Sequence, residues 1–358
     1  MEILPTSLGT RPRLAVEVRA EGVVAARAED ATALLTAVTR GELADGALAP
    51  GLKAGNVLDR AAVVAAVRKA LDGVVGPARG RDVTVVIPDA AVRVLLLEFD
   101  ELPSKAVEAL PVVRFRLKKL LPFDVDEAVV SYQVMASAKG SVQVVAVAVP
   151  KGVLDEYEGL VTAAGYLPGA VLPSTLAALA GLDEAEAAAL VVNAGPNGVT
   201  TAIVKGGILL LHRSVDMAGE TVVEAAGVSL VDRESSAQEW ARQEAVGYDR
   251  FEAEAAMQTQ VLEKAEMREM AATAAAREVT QAVSVAAAYF EDTLQVPPEV
   301  ALAAGTLGAE TLGTILQESG LEGLRVREMV DAGMLEAGAV TARVPRGWLA
   351  GVRGALKN

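Results

Sequence analysis

Cysteine is absent from the 358 residues and histidine occurs once, as His212. The first absence excludes disulfides and thiolate metal sites. The second leaves no histidine metal cluster and no dedicated histidine triad. Long hydrophobic runs are missing as well: alanine and valine inflate the hydrophobic fraction to 52%, yet no uncharged apolar stretch approaches the ~20 residues that span a bilayer. The amino end, Met1-Glu2-Ile3-Leu4-Pro5, lacks the basic and apolar regions of a secretory signal, so a cytoplasmic location is expected. An excess of cations is lacking too. With 47 acidic against 33 basic residues, the net charge of −14 repels a phosphate backbone, and nucleic acid is not an expected partner.

What is present is the patterning of a two-lobed α/β protein, as suits a chain beyond ~250–300 residues. Arg13 to Val18 and Gly22 to Ala28 read as paired strands, and Asp59 caps a helix with Val63, Val67, Ala70 and Leu71 on one side. Asp82 to Pro88 is a buried-looking strand. Val92 to Leu97 is mostly apolar on both faces, Arg93 apart, which implies a covered sheet. A basic helical stretch follows from Leu102 to Leu121, capped by Ser104, with Pro111 expected to kink or restart it. Strands at Ala128 to Ala136 and Ser141 to Val149, turned at Lys139-Gly140, complete a β-α-β-β unit over about 90–150. Helices at Lys151 to Ala164 and Pro173 to Leu182 lead to a boundary near Leu182 to Glu186.

Beyond that boundary three strands and then helices come again. Leu190-Val191-Val192, the glycine-bearing segment Asn193 to Thr201, Ala202-Ile203-Val204 and the run Ile208 to Leu211 read as strand, loop, strand, tight turn, strand. Such a loop presents backbone N–H groups to an anion, with Thr200 as an added donor. Read alone, the same segment is an ordinary hairpin. His212 continues the third strand as a surface or interface residue. Asp249 to Val296, without glycine or proline, predicts helix, expected as a bent rod or a helical pair with its Ala and Met packed inward. A strand at Val300 to Ala304 then runs into Gly305-Thr306-Leu307-Gly308 and a helix to Gln317. In the last segment, Trp348, Leu349, Val352 and Leu356 share one helical face with Arg353 elsewhere, open to core packing or to a membrane surface.

Several of these segments, in order, resemble PilM, the actin-like cytoplasmic protein of the type IV pilus assembly platform, itself similar to the cell-division protein FtsA. The most specific part is Pro122 to Val134, with Pro122-Phe123, Glu127, Val129 and Tyr132-Gln133-Val134; Ala164-Gly165-Tyr166-Leu167 and the two glycine loops add to it. The resemblance covers about Leu14 to Ala355. It implies an α/β, actin-like (ribonuclease H-like) two-lobed fold with an inserted 1C-type β-α-β-β subdomain. The expected division is an amino-terminal arm at 1–12, a first lobe at 13–185 and a second lobe at 186–358 with a helical subdomain about 217–297.

The function implied is that of a cytoplasmic scaffold, not an enzyme, peripheral to the inner membrane through its partner. It would capture the cytoplasmic tail of a PilN-type membrane protein and link it to the pilus motor ATPase or other platform proteins. Homo-oligomerisation stays open. Expected walls of the tail groove are Leu97, Phe99, Leu102, Phe115, Leu117 and Phe123, each of which insert core would equally explain. Ile3-Leu4-Pro5 is similar to the Ile-Asn-Leu-Leu-Pro tail of PilN proteins, so the arm is read as a mimic of that tail or as a plain leader.

A nucleotide would lie between the lobes on Glu17, Asn193, Gly195, Asn197, Thr200, Gly305 and Thr306. The set is degenerate against the family pattern. Glu17 replaces an aspartate, the turn Arg19-Ala20-Glu21-Gly22 lacks hydroxyls so that a phosphate would meet Glu21, and Asn193 replaces the aspartate that orders magnesium-bound water. The inter-lobe helix has lost its acidic residue near Pro173, and Ala304-Gly305 stands for a Gly-Gly pair. No catalytic residue, metal site or resident cofactor is expected. ATP with magnesium is the alternative, on which the chain would be an actin-like ATPase or a sugar-kinase-like phosphotransferase; a membrane-attached polymer akin to FtsA is a third class.

Overall fold

The computed structural model describes residues 12–76, 80–182, 188–217, 250–321, 323–339 and 344–357, with the side chains of 250–271 left aside. The amino-terminal arm up to residue 11, most of the expected lobe boundary, and 218–249 of the expected helical subdomain lie outside the described residues.

The first sheet runs β3-β2-β1-β4-β8, from β1 (Leu14–Arg19), β2 (Gly22–Ala28), β3 (Leu35–Gly41), β4 (Asp82–Ile87) and β8 (Leu167–Pro173). The strands β1, β4 and β8 are parallel to one another, and β2 and β3 continue antiparallel. Its central strands are apolar because both faces are covered. On one face α1 (Arg60–Val74) and α3 (Lys151–Ala163) pack through Val63, Val67, Leu71, Tyr157 and Leu160. Asp59 caps α1 by accepting from the Ala62 N–H at 2.9 Å, as its side-chain type at that position requires. The other face is covered by α4 (Ser174–Ala180) and by the last helix.

The second sheet repeats the plan in the order β11-β10-β9-β12-β13. Its strands are β9 (Ala189–Gly195), β10 (Gly198–Lys205), β11 (Ile208–Asp216), β12 (Val300–Ala304) and β13 (Arg325–Glu328), again two antiparallel outer strands followed by parallel ones. Two helices cover it. Arg250–Leu294, here α5, is one continuous helix of 45 residues, so of the two expected forms the helical pair is ruled out: with no glycine or proline, nothing in the segment interrupts the hydrogen-bond ladder. Val279, Val283, Ala286 and Phe290 bury its carboxyl-terminal part together with α6 (Ala309–Glu318).

Between β4 and α3 stands the β-α-β-β insert: β5 (Arg93–Phe99), α2 (Ala106–Leu117), β6 (Ala128–Ala138) and β7 (Ser141–Pro150). Its antiparallel sheet runs β5-β7-β6. Alternation splits β7: Val144, Ala146 and Ala148 pack with α2, while Val145 and Val147 join the apolar cluster of Val204 and Leu209 in the second lobe. Strand β11 lies against β5. The insert therefore belongs to the first lobe by chain order and touches the second by packing. Helix α2 runs through Pro111 unbroken and starts at Lys105 without a side-chain cap, against the expected break and Ser104 cap. A proline here frees only the carbonyl four residues earlier, on Val107, which is 86% exposed and so open to solvent.

The last helix, α7 (Leu349–Leu356), is buried all round. It crosses from the second lobe to lie between α4 and strands β1, β2 and β4, which corrects its assignment to the second lobe. Arg353, expected on an outer face, is buried and donates to the Gly181 carbonyl at 2.8 Å. With no free face, α7 cannot lie on a membrane.

Candidate functional site at the lobe junction

The carboxyl ends of the parallel strands of both sheets converge, the place where open α/β sheets collect polar groups. From β1 comes Glu17, fully buried, followed by Arg19 at the strand end. Asp89 follows β4, Ser174 and Thr175 follow β8, and Asn193 lies in the buried run of β9.

These six residues form one hydrogen-bonded network. The Arg19 guanidinium donates to Glu17 Oε1 at 2.7 Å, to Ser174 Oγ at 2.6 Å and, across the junction, to Asn193 Oδ1 at 2.8 Å. Ser174 donates to Glu17 Oε1 at 2.6 Å. The Asn193 amide donates in return to Ser174 Oγ and Thr175 Oγ1, both at 2.9 Å, and to Asp89 Oδ2 at 3.3 Å. Asp89 accepts from the Thr175 hydroxyl and, at 3.1 Å, from the Thr175 N–H. A cation bound to both lobes thus stands at the point where the strand ends meet.

Electrostatics follow from burial. Removal from water pushes the Glu17 carboxyl above its ordinary range, opposed by the charge of Arg19 and the Ser174 bond; the Glu17 charge in turn raises Arg19 against its own desolvation. Glu17 Oε2 has no hydrogen-bond partner. Helix α7 closes over it: a Cβ on Gly351 would come within 2.7 Å of that oxygen.

The seven expected nucleotide residues are distributed unevenly. Glu17 and Asn193 are in the network itself. Gly195, Gly305 and Thr306 lie beside it: Thr306 donates to Glu21 Oε1 at 3.2 Å, and a Cβ on Gly195 would meet that carboxylate oxygen at 2.5 Å. Gly305, at φ +86°, passes so close to Asn193 and the Ala194 carbonyl that no side chain fits. Its N–H is taken by the Gly347 carbonyl at 2.9 Å, and that of Leu307 by Ala194 at 3.0 Å. Thr200 is set apart in function, its buried hydroxyl donating to Ser214 Oγ at 3.0 Å. The expected glycine loop is a two-residue turn at Pro196-Asn197, since pairing continues through Gly195 opposite Gly198. Asn197 sits at its exposed tip, with its carbonyl held by the Met217 N–H.

Arg19 as a cross-lobe ligand, Asp89, Ser174 and Thr175 were not among the expected site residues. The available signal was polar residues placed directly after strands that are otherwise buried: Pro88-Asp89 and Pro173-Ser174-Thr175. On the far side of Asp89 lies His212, half-buried with Nε2 sealed and unpartnered, and its pKa is held below 6.5 by desolvation. Strand β11, which carries it, packs against the insert.

The expected tail-groove residues do not line one surface. Leu97 and Leu117 are buried in the insert core, which corrects their reading as open walls. Phe99, Leu102 and Phe123 are partly buried against that same core, and Phe115 is 70% exposed on the outer side of α2.

No protein-family model and no curated protein matches the chain. Among solved structures, a chain of the PilM–PilN type IV pilus biogenesis complex aligns at a TM-score of 0.68 and 19% identity, over 96% of this chain and 98% of that one. Ethanolamine utilization protein EutJ from Carboxydothermus hydrogenoformans aligns at 0.44 and 10% identity, over 96% and 89%. The cytoplasmic domain of EpsL, an inner membrane component of the Vibrio cholerae type II secretion system, aligns at 0.38 and 14% identity, over 59% and 74%. The repeated sheet order, the β-α-β-β insert and the first of these alignments together show that this chain has the two-lobed actin-like fold of a PilM-type protein.

Proposed function

We propose that the chain is a nucleotide-independent scaffold of a type IV pilus assembly platform, capturing the short cytoplasmic tail of a PilN-type membrane protein. The observation that carries binding over turnover is the junction. Phosphoryl transfer on this fold needs a magnesium ion on the phosphates and a positioned water or base. Here an arginine, pinned by Glu17, Ser174 and Asn193, stands among the strand ends where those groups would work, and Asn193 cannot neutralise a cation.

The end-to-end likeness to a chain of the PilM–PilN complex supports a tail as the ligand. The expected occupant is extended, held by main-chain bonds with side chains in apolar pockets; Phe99, Leu102 and Phe123, partly buried against the insert core, are the residues proposed to contact it. Attachment of the captured protein to the pilus motor is part of the same proposal.

Fluorescence anisotropy with a labelled peptide copying that tail tests the reading. Saturable binding, equal with and without ATP and magnesium, is expected. Failure of the peptide to bind, or binding only with nucleotide, refutes it.

A further inference from the structure

Helix α2 is apolar on two sides. Its inner side, Ala109, Val113 and Leu117, is buried in the insert core. Its outer side repeats apolar residues every fourth position, Val107, Pro111 and Phe115, and leaves Val107 86% and Phe115 70% exposed. Val112 and, past the end of the helix, Leu120 are exposed as well, at 37% and 49%. A helix that has already satisfied its core gains nothing from a second apolar side in water.

The charges on this helix run against those of the chain. Residues 105–119 hold Lys105, Arg114, Arg116, Lys118 and Lys119 against Glu108 alone, in a protein of net charge −14. Arg114 turns inward to the carbonyls of Val125 and Ala128, and Arg116 shares an open cleft with Glu98, Asp100 and Glu101. The lysines stay outside. Lys119 stands 5.9 Å over the Phe115 ring; Lys105 and Lys118 lean on Glu108 and Asp126 at 3.5 and 3.8 Å, exposed pairs that an anionic surface can replace at little cost.

We propose that the outer face of α2 seats on a bilayer rich in anionic lipid, with Val107 and Phe115 entering the headgroup region and Lys105, Lys118 and Lys119 meeting the phosphates. An apolar ridge bordered by lysines is the pattern of helices that lie in the interface plane. A convex ridge suits a fluid surface, which needs no complementary groove. The inference rests on this face alone and holds whether or not a tail is captured by the chain.

Sedimentation of the full chain with phosphatidylglycerol-containing vesicles, against pure phosphatidylcholine vesicles, tests it. Pelleting with the anionic vesicles only is expected, falling roughly tenfold in Lys118→Glu/Lys119→Glu and in Val107→Ser/Phe115→Ser, with an unchanged melting curve because all four side chains are exposed. Equal pelleting with both vesicles, or undiminished pelleting of both variants, overturns the proposal. So does a Val107→Ser/Phe115→Ser protein that sediments normally with vesicles but loses the tail peptide or self-association, since the face then belongs to a polypeptide. Loss of vesicle binding with tail binding intact supports the membrane face without bearing on the scaffold reading.

Discussion

Arg19 is the residue on which the junction turns, because its one side chain bonds to Glu17 and Ser174 on the first lobe and to Asn193 on the second. Arg19→Met leaves a buried carboxylate unpaired, a change that typically costs about 3–5 kcal/mol. Urea denaturation is expected to show a loss of that order. The loss has a pH sign. Burial already raises Glu17 above its unfolded value of 4.5, so the folded state holds that proton more tightly; stability is full below the unfolded value and falls as pH rises through the folded one. Removing the arginine raises the carboxyl further, so Arg19→Met is expected to lose less near ~pH 5 than near ~pH 8. A loss independent of pH contradicts a buried, proton-binding Glu17. His212 carries the opposite sign. Held below 6.5 by desolvation, it gives stability that is present above the unfolded value and lost as pH falls through the folded one. As the chain's one histidine, it supplies a single imidazole Hε1 resonance, expected to titrate below that of the unfolded chain. At this scale the sequence showed Glu17 and Asn193 as departures from a phosphate site. It did not show what replaced the phosphate, because Arg19 meets Asn193 across 174 positions of chain.

Among the elements, the crossing of α7 on α4 holds the two lobes' chain ends together. A Cβ on Gly354 would fall inside the Ala177 carbonyl and beside the Gly181 N–H. Gly354→Ala must therefore part the helices, and overpacking of this kind costs about 1–3 kcal/mol or more. Gly323→Ala, with nothing within 4 Å of the added atom, is the control, expected to stay within about ±0.5 kcal/mol. Thermal melts of the two variants check the contrast; equal melting temperatures would remove the close approach as a stabilising feature. Helices such as α1 and strands such as β2 were legible because cap and periodicity are local. Strand β8 was not, since Pro168 and Gly169 disguise it; a sheet edge tolerates both. Nor was β13, whose polar Arg325–Glu328 has no apolar alternation. For α7 the sequence left core packing and a membrane surface side by side; the buried helix decides for the core, and the Gly181 carbonyl across the fold accepts from Arg353, which reads as a surface residue.

For the whole molecule, the ties between the lobes among the described residues include the Arg19 network, the insert packed on β11, α7 returning to the first sheet, and the backbone bonds of Leu35 and Val38 to Glu336 and Ala339. The order of elements and the Pro122 to Val134 run made the two-lobed plan legible before any coordinates, whereas the ties depend on contacts between distant segments and left only unexplained polar residues in the sequence. Among the described residues no helix is long and apolar enough to cross a membrane. Calorimetric titration of the full chain with ATP and magnesium measures the central claim most directly: no saturable heat is expected at any concentration short of millimolar, and a micromolar dissociation constant would contradict a junction closed by its own arginine.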